Sequence, residues 1–496
     1  MSDIVVIGAG ITGSAIARVL SRYQGIEVKL LEKEIDVGWG ATKANTGIIH
    51  PGHEDDPQRY PLRAELCVKG NRLWHEWTEE LDIPVDWPGE LMLAKDDREK
   101  ETLEGYLRIG KKNGVPELRI IGKEELRNLE PMVSKEVEYA LWAPTAGVLA
   151  PWEAVIALVE NAVDNGVDVH LDTCVQDIVL DEGEVELVKT NKGQIEADMV
   201  INTAGLFADE ISSMVGVDEF EIIPRKGEYY LFDEDVEEKP ERVIHPTPTE
   251  KTKGVYAVQT VEGNLMLGPT AEDLPQDSKD ERSTSEEGLD FIWEHSKGLL
   301  DELPDRKRIS KTFAGLRPEP PEGKYIIRDY DEISGFINVA GIRSPGLTAA
   351  PAIAFKVERI LKEQLDMGLE KKEDWEPVRK GITRFTDLNH RQKQEMIKKD
   401  ADYGKVVCMC KEVTKAEIKE AVDRVLKLGD DVSLDSIKFR TLALFGFCQG
   451  SYCRTRIAKV LSEELDINMW DIDTAEKGTS YGIGDVKVLQ RGESCD

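Results

Sequence analysis

Ile4-Val5-Val6-Ile7-Gly8-Ala9-Gly10-Ile11-Thr12-Gly13 sets an apolar run against a glycine turn, and an Ala/Ile/Val/Leu helical pattern follows through Leu20. A second strand-like run, Ile26–Leu31, ends in Glu32. Strand, glycine turn, helix, strand and acid in this order form the dinucleotide fingerprint in its full context. Gly8 permits the tight turn, Gly10 lets the backbone approach a pyrophosphate, and Gly13 lets the helix pack on the strand. The helix start at Ile11 and Thr12 offers unpaired N–H groups and a positive dipole end to the phosphates. Glu32 lies where a carboxylate accepts hydrogen bonds from ribose hydroxyls.

The next stretch, Gly38-Trp39-Gly40-Ala41-Thr42-Lys43-Ala44-Asn45-Thr46-Gly47-Ile48-Ile49-His50-Pro51-Gly52, is small and glycine-rich, then briefly apolar, then histidine. Small residues suit a backbone that lies against a large flat ligand. Here the sequence resembles the D-amino-acid-oxidase superfamily of FAD enzymes. Within it, the L-2-hydroxyglutarate dehydrogenases and the large subunits of anaerobic glycerol-3-phosphate dehydrogenases carry a comparable Gly-Ala-Thr/Ser…Asn…Gly-Ile/Leu-Ile/Leu-His-x-Gly segment. The resemblance implies FAD as the bound dinucleotide. It assigns the cofactor to Gly8, Gly10, Ile11, Thr12, Gly13, Glu32, Ala41, Thr42, Thr46, Gly47 and Ile48. Further along the chain it adds Val175, Ala204, Gly205, Gly341, Gly346, Leu347 and Thr348.

The chain has 496 residues, 40% hydrophobic and 6% aromatic, enough for two or three domains with real cores. No uninterrupted apolar run approaches the length of a membrane span. Phe336–Phe355, the most apolar candidate, contains Arg343 and two prolines. Met1-Ser2-Asp3 leads straight into the first strand without a basic leader, so a cytoplasmic protein is expected. Against 96 Asp and Glu stand 64 Lys and Arg, a net charge of −32. Such a field repels nucleic acid and anionic membrane at long range, and an anionic substrate has to be captured by local positive groups.

Helical spacing runs over Pro61–Glu80, Asp96–Asn113, Gly122–Leu129 and Trp152–Asn165. Strands are expected at Val167–Leu171, Val175–Leu180, Val185–Thr190 and Met199–Ala204. The last runs into Ala204-Gly205 as a buried parallel strand; it is either a plain core strand or, as the resemblance implies, the return to the flavin domain. A β-rich unit follows, with strands at Ile222–Phe232, Gly254–Thr260 and Asn264–Gly268 and a helix at Phe291–Leu300. Another buried strand, Phe336–Gly341, feeds a glycine turn and the helix Ala349–Leu361. Lys362–Lys405 reads as a charged linker with local helix.

Seven cysteines are present, and four of them, Cys408, Cys410, Cys448 and Cys453, form a C-x-C…C-x₄-C set near the C-terminus. An odd count in a long chain argues against a disulfide framework. Four thiolates in two close pairs ligate a metal ion or an iron–sulfur cluster. Zinc usually takes C-x₂₋₄-C knuckles, so the C-x-C half is unusual for it. The arrangement resembles the bacterioferritin-associated-ferredoxin-like domain, which implies a 2Fe–2S cluster on these four residues. Val413–Ile418 resembles that domain's helix start, and Gly446-Phe447-Cys448-Gln449-Gly450 its second loop.

His50 ends an apolar strand. It is either a core histidine that packs or orients the cofactor, or a general base that takes a hydroxyl proton as hydride moves to flavin N5. Arg317 sits in Phe313-Ala314-Gly315-Leu316-Arg317-Pro318, similar to a superfamily motif whose arginine often binds a substrate carboxylate or phosphate. A planar anion favours bidentate arginine. Lys226 and Arg343 are further candidates for substrate binding, as are Arg225 and Lys43; each of these is otherwise a surface charge.

The expected fold is α/β, with a Rossmann-like FAD domain from residues 1–85, 150–215 and 313–362. A β-rich substrate domain from 86–149 and 216–312 is interleaved with it. A linker at 363–403, a small α-rich 2Fe–2S domain at 404–462 and a tail at 463–496 follow. The resemblance implies an FAD-dependent dehydrogenase of a secondary alcohol, sn-glycerol 3-phosphate first and L-2-hydroxyglutarate as the alternative. Electrons would leave through the cluster to an external acceptor, quinone-linked or a partner redox subunit, which also allows peripheral membrane association through that subunit. An amine or amino-acid dehydrogenase is a third reading, and an iron–sulfur carrier or sensor with an idle flavin domain belongs to a different class.

Overall fold

The computed structural model describes residues 2–248 and 254–482. The first strand, Ser2–Ile7, runs parallel to Ile26–Leu31 on one side (Val5 opposite Lys29) and to Met199–Asn202 on the other (Val5 opposite Val200). Ile333–Ala340 extends this parallel layer, with Ile337 opposite Ile201. Ile4, Val5, Val6, Val200 and Ile337 are fully buried, as strands covered on both faces require. The helix Ile11–Leu20 is buried along its whole length, so its one cation needs partners inside. Arg18 finds them in Asn161 Oδ1 at 3.0 Å, the Glu80 carboxylate at 2.5 Å and the face of Trp77.

Nine strands form a second sheet from two separate stretches of sequence. Glu90–Ala94, Tyr139–Ala143 and Arg119–Gly122 come from the first stretch. Ile223–Phe232, Val243–Pro246, Tyr256–Gln259, Leu265–Gly268, Glu272–Asp273 and Ile309–Glu319 come from the second. Val243–Pro246 joins the two stretches by pairing in parallel with Glu90–Ala94. Leu91, Phe232, Ile244, Leu265 and Leu267 fill the core beneath. A small sheet of Ile48–Ile49, Gly147–Leu149 and Val85–Asp86 carries the segment that ends in His50.

By contact density the chain forms two compact units, and the second comprises Lys33–Asp36, Val169–Asp172 and the chain from Lys380 onward. In that unit Val406–Cys408 pairs with Val413–Thr414, and the helices Lys415–Leu426, Leu434–Thr441 and Arg454–Leu465 enclose a core of Ile418, Val425, Ile437, Ile457 and Leu461. Thr414 opens the first of these helices with a reciprocal cap: its hydroxyl takes the Glu417 N–H, and Glu417 takes the Thr414 N–H.

Four local expectations change. The helix expected at Phe291–Leu300 lies at Glu286–Ser296, because the Ser285 hydroxyl accepts the Gly288 N–H and starts it earlier. The helix expected from Ala349 begins at Gly346. Gly193–Glu196 is an additional strand, paired with Glu184–Thr190. The stretch 363–403, expected as a linker with local helix, holds the helix His390–Lys399 and is also anchored along its length. Glu370–Lys371 pairs with Tyr23–Gln24, and Trp375 Nε1 donates to Ser21 Oγ at 3.1 Å. Phe385 beyond it packs with Tyr403 and Ala416 in the second unit. Its charged composition concealed these anchors because each is a single aromatic or backbone contact. The end of the expected tail, 483–496 with Cys495, lies outside the described residues.

Candidate functional site

At the first turn Gly8 has φ +101°, and a Cβ there would stand 2.7 Å from the Thr203 carbonyl oxygen. A Cβ on Gly13 would stand 2.0 Å from the Gly8 carbonyl oxygen, so the helix rests directly on the turn. Gly10 precedes the helix without a side-chain cap, which leaves the first-turn N–H groups of Thr12 and Gly13 to a ligand. The Ile11 N–H is taken by Thr42 Oγ1 at 3.0 Å. Glu32 accepts the Ala9 N–H at 2.8 Å, bringing its carboxylate to the turn. The glycine-rich segment folds back onto the same place, with the Gly38 N–H on the Ala9 carbonyl. Ala41 and Thr42 form a single 3₁₀ turn there, and Asn45 Oδ1 bridges past Thr46 to the Gly47 N–H at 2.8 Å. Gly47 has no room for a side chain, since a Cβ would meet the Leu149 carbonyl at 2.2 Å.

Ala204 and Gly205 lie just past the parallel strand, with Gly205 at φ +60°. Gly341, also at positive φ, packs on Pro320, and Gly346, Leu347 and Thr348 open the uncapped helix Gly346–Glu363. Val175 packs in the apolar core with Ile7 and Leu31, the residues that lead into Gly8 and Glu32. A turn without side chains, open helix N-termini and a carboxylate at the ribose position together fit FAD.

His50 is held by its backbone. Its N–H donates to Thr348 Oγ1 at 2.8 Å, and its carbonyl accepts Asn71 Nδ2 at 3.1 Å. Its ring Nδ1 faces Glu90 Oε2 at 3.6 Å and Glu54 Oε2 at 4.0 Å. The Tyr256 hydroxyl donates to Glu54 Oε1 at 3.2 Å, and its ring packs edge-on to His50 and stacks on His245. His53, Glu90 and His245 behind them are fully buried. Burial alone would raise the Glu90 carboxyl, yet the facing rings of His245, His50 and His53 hold it well below the usual carboxylate range. Burial lowers the His53 imidazole, and it pushes the Tyr256 phenol well up, helped by Glu54 and Glu90. No spacing marked Glu90, His53, His245 or Tyr256 in the sequence. Only the segment His50-Pro51-Gly52-His53-Glu54 hinted at a polar cluster.

Arg317 shares a sheet face with Arg225, its partner across the ladder. Gly315, on that same face, is pressed against the Ala44 carbonyl of the flavin loop. Arg317 donates to the Thr270 carbonyl at 2.7 Å. Desolvation lowers its pKa, as it does that of Arg343, though a guanidinium stays charged regardless. Arg63, unremarked in the sequence, is buried and lies close enough to push Arg343 further down. Asp55 pairs with Arg63, Glu319 with Arg225 and Arg343, and Asp273 with Arg225. Four guanidinium groups thus meet three carboxylates, which leaves positive charge for an anion. Lys226 is not part of this group. It stands one residue from Arg225 and so points to the opposite face, where Glu228 at 3.4 Å and Glu272 at 3.1 Å neutralise it. Lys43 lies over the Trp39 ring.

In the second unit Cys410 Sγ lies 3.6 Å from Cys448 Sγ. Cys408 and Cys453 are buried as the other pair, whereas Cys410 and Cys448 are half-buried. Cys453, followed by backbone N–H groups of Lys411, Leu444 and Cys410, pulls the Cys408 thiol down to about 6. Backbone N–H groups of Tyr452 and Gly450 approach Cys448. Two converging thiol pairs wrapped in N–H donors suit a cluster that must be held as thiolates. Gly446 is obligatory in this cradle, since a Cβ there would stand 2.3 Å from the Cys410 Cβ.

The nucleotide turn, the folded-back glycine segment and the interleaved sheet define a flavin-dependent oxidoreductase, and the chain belongs to the FAD dependent oxidoreductase family, which it matches over residues 3–358. Residues 406–463 match the BFD-like [2Fe-2S] binding domain. The chain is 42% identical to a glycerol 3-phosphate dehydrogenase of Caloramator mitchellensis over 98% of its own length and 99% of that protein. It is 27% identical to the anaerobic glycerol-3-phosphate dehydrogenase subunit A1 of Haloferax volcanii, across 94% of this chain and 83% of that one. Among solved structures, the FAD-bound, dithionite-reduced L-alpha-glycerophosphate oxidase of Mycoplasma pneumoniae superposes with a TM-score of 0.70. The two are 28% identical, and the match covers 76% of this chain and 98% of that one. The protein is thus an oxidoreductase with an FAD domain in its first unit and a 2Fe–2S domain in its second.

Proposed function

We propose that the protein oxidises sn-glycerol 3-phosphate to dihydroxyacetone phosphate and passes the electrons to an external acceptor. The whole-length relative, cluster domain included, is the observation that carries this reading. FAD supplies the hydride acceptor, and the 2Fe–2S cluster supplies one-electron transfer. Arg317 and Arg343, with Arg63 beside them, bind the phosphate, where charge-assisted and bidentate hydrogen bonds favour guanidinium. His50 takes the proton of the secondary hydroxyl. Its Nδ1 is turned to Glu90, which leaves Nε2 as the accepting atom and stabilises the imidazolium that forms. The acceptor is a quinone-linked or soluble redox partner that meets the cluster unit.

The test is anaerobic mixing of the flavin-loaded protein with glycerol 3-phosphate, L-2-hydroxyglutarate, proline or glycine, read as bleaching of the flavin absorbance. Glycerol 3-phosphate is expected to bleach it at the lowest concentration and fastest. Preferential bleaching by L-2-hydroxyglutarate would move the substrate to the 2-hydroxy acids, and bleaching by none of the four would overturn the reading.

A further inference from the structure

Behind His50 the structure places three donors from three separate segments. Glu90 and His245 lie on adjacent parallel strands two residues apart in register, and so on one face; His53 follows a bend at Gly52, where φ is +98°. All three are fully buried, and their ligand atoms lie within 4.8 Å of one another. We propose that His53, Glu90 and His245 form a binding site for a divalent transition-metal ion of the zinc class, separate from the cysteine cluster.

Hydrogen bonding fixes how the His245 ring is turned but leaves the His53 ring unaccounted for. His245 Nδ1 lies 3.0 Å from the Pro246 carbonyl oxygen, which can only accept, so this nitrogen carries the proton. Nε2 of the same ring faces Glu90 Oε1 at 3.3 Å, the direction in which a ligating nitrogen and carboxylate would share an ion. An Nδ1–H held by a backbone carbonyl is how ligating histidines are commonly oriented. His53 Nε2 lies 3.5 Å from the same Glu90 oxygen, and among the described residues neither His53 ring nitrogen has a hydrogen-bond partner. With metal–ligand bonds of about 2.0–2.1 Å, neighbouring donors of a tetrahedral ion stand about 3.3–3.4 Å apart. The separations of 3.3 Å and 3.5 Å lie at and just beyond those edges.

Two imidazoles and a carboxylate are a donor set for zinc. The ion ties the loop of His50 to two strands of the substrate sheet. It also fixes Glu90 so that its second oxygen, Oε2, stays turned to His50 Nδ1. Glu90 is in this account a positioning residue. The inference holds whatever alcohol the enzyme oxidises.

The test uses the holoenzyme with flavin and cluster in place, dialysed against a chelator and then titrated with ZnCl₂. Bound zinc is counted by mass spectrometry and its surroundings are read by zinc-edge X-ray absorption. One zinc per chain is expected, with nitrogen and oxygen alone in its first shell. Glu90→Gln and the double variant His53→Ala/His245→Ala are expected to weaken binding a hundredfold or more with flavin absorbance retained, and zinc is expected to raise the melting temperature of the wild type alone. Absence of stoichiometric zinc, a shell of sulfur ligands, or undiminished zinc in the folded variants would each overturn the site. Should the variants lose flavin, the wild-type absorption spectrum decides by itself.

Discussion

Single atoms decide what Arg317 and Gly13 tolerate. Arg317 lies on the sheet face that meets the flavin loop, in a group with more guanidinium than carboxylate. Arg317→Ala removes a charge-assisted contact of about 1.5–3 kcal/mol. Steady-state kinetics are expected to show apparent affinity for the phosphate substrate falling about ten- to a hundredfold at constant flavin content. Unchanged kinetics would place the residue in the scaffold. Lys226→Ala is the contrast, because its charge is already neutralised on the opposite face. It should leave KM within twofold, as measured in the same assay. Gly13→Ala drives a methyl group into the Gly8 carbonyl and costs about 1–3 kcal/mol as overpacking. Loss of bound flavin, read from the ratio of visible to ultraviolet absorbance, is the expected outcome.

The helix Lys415–Leu426 shows how one element carries the cluster unit. Its reciprocal cap at Thr414 and Glu417 satisfies two otherwise orphaned N–H groups, and Glu417 also accepts the Phe385 N–H at 3.0 Å. Thr414→Ala should cost about 1 kcal/mol, measured as an earlier denaturant midpoint for loss of cluster absorbance. The loop 446–453 acts differently, through space rather than through a cap. Gly446→Ala pushes against Cys410 and is expected to yield protein with normal flavin and no cluster signal in electron paramagnetic resonance. A normal cluster signal would show that the loop adapts.

For the whole molecule, a two-electron oxidation on one unit and a one-electron centre on the other suggest cofactors working in series. Cys408→Ser or Cys453→Ser is expected to abolish the cluster while substrate still bleaches the flavin. Turnover with a one-electron protein acceptor should fall more than tenfold, whereas a small dye that reaches the flavin directly is still reduced. Full turnover without the cluster would make the second unit a docking module. Among the described residues no helix is long and apolar enough to cross a membrane. Around the outer thiols, Met409, Phe447 and Tyr452 are exposed, apolar surface next to the more accessible edge of the cluster site.

How much of this was legible depends on the range over which information is stored. The nucleotide turn at Gly8–Gly13, the strand leading into Glu32 and the paired cysteines were readable because each is contiguous or nearly so. Backbone φ, helix period and ligand spacing are local properties. The helix Pro61–Glu80 follows from its periodicity for the same reason. The exclusion of Lys226 from the anion group needed the register of Ile223–Phe232 against Ile309–Glu319, since a shift of one residue exchanges the faces. Arg63 joined that group, and Glu90 met His245 across 155 residues of chain, only once the strands had paired. Local pattern therefore determined most of which segments are strand, turn and helix and which two cofactors the chain takes. Which charged side chains face one another inside was decided by tertiary packing alone, because convergence of distant segments leaves no period in the sequence.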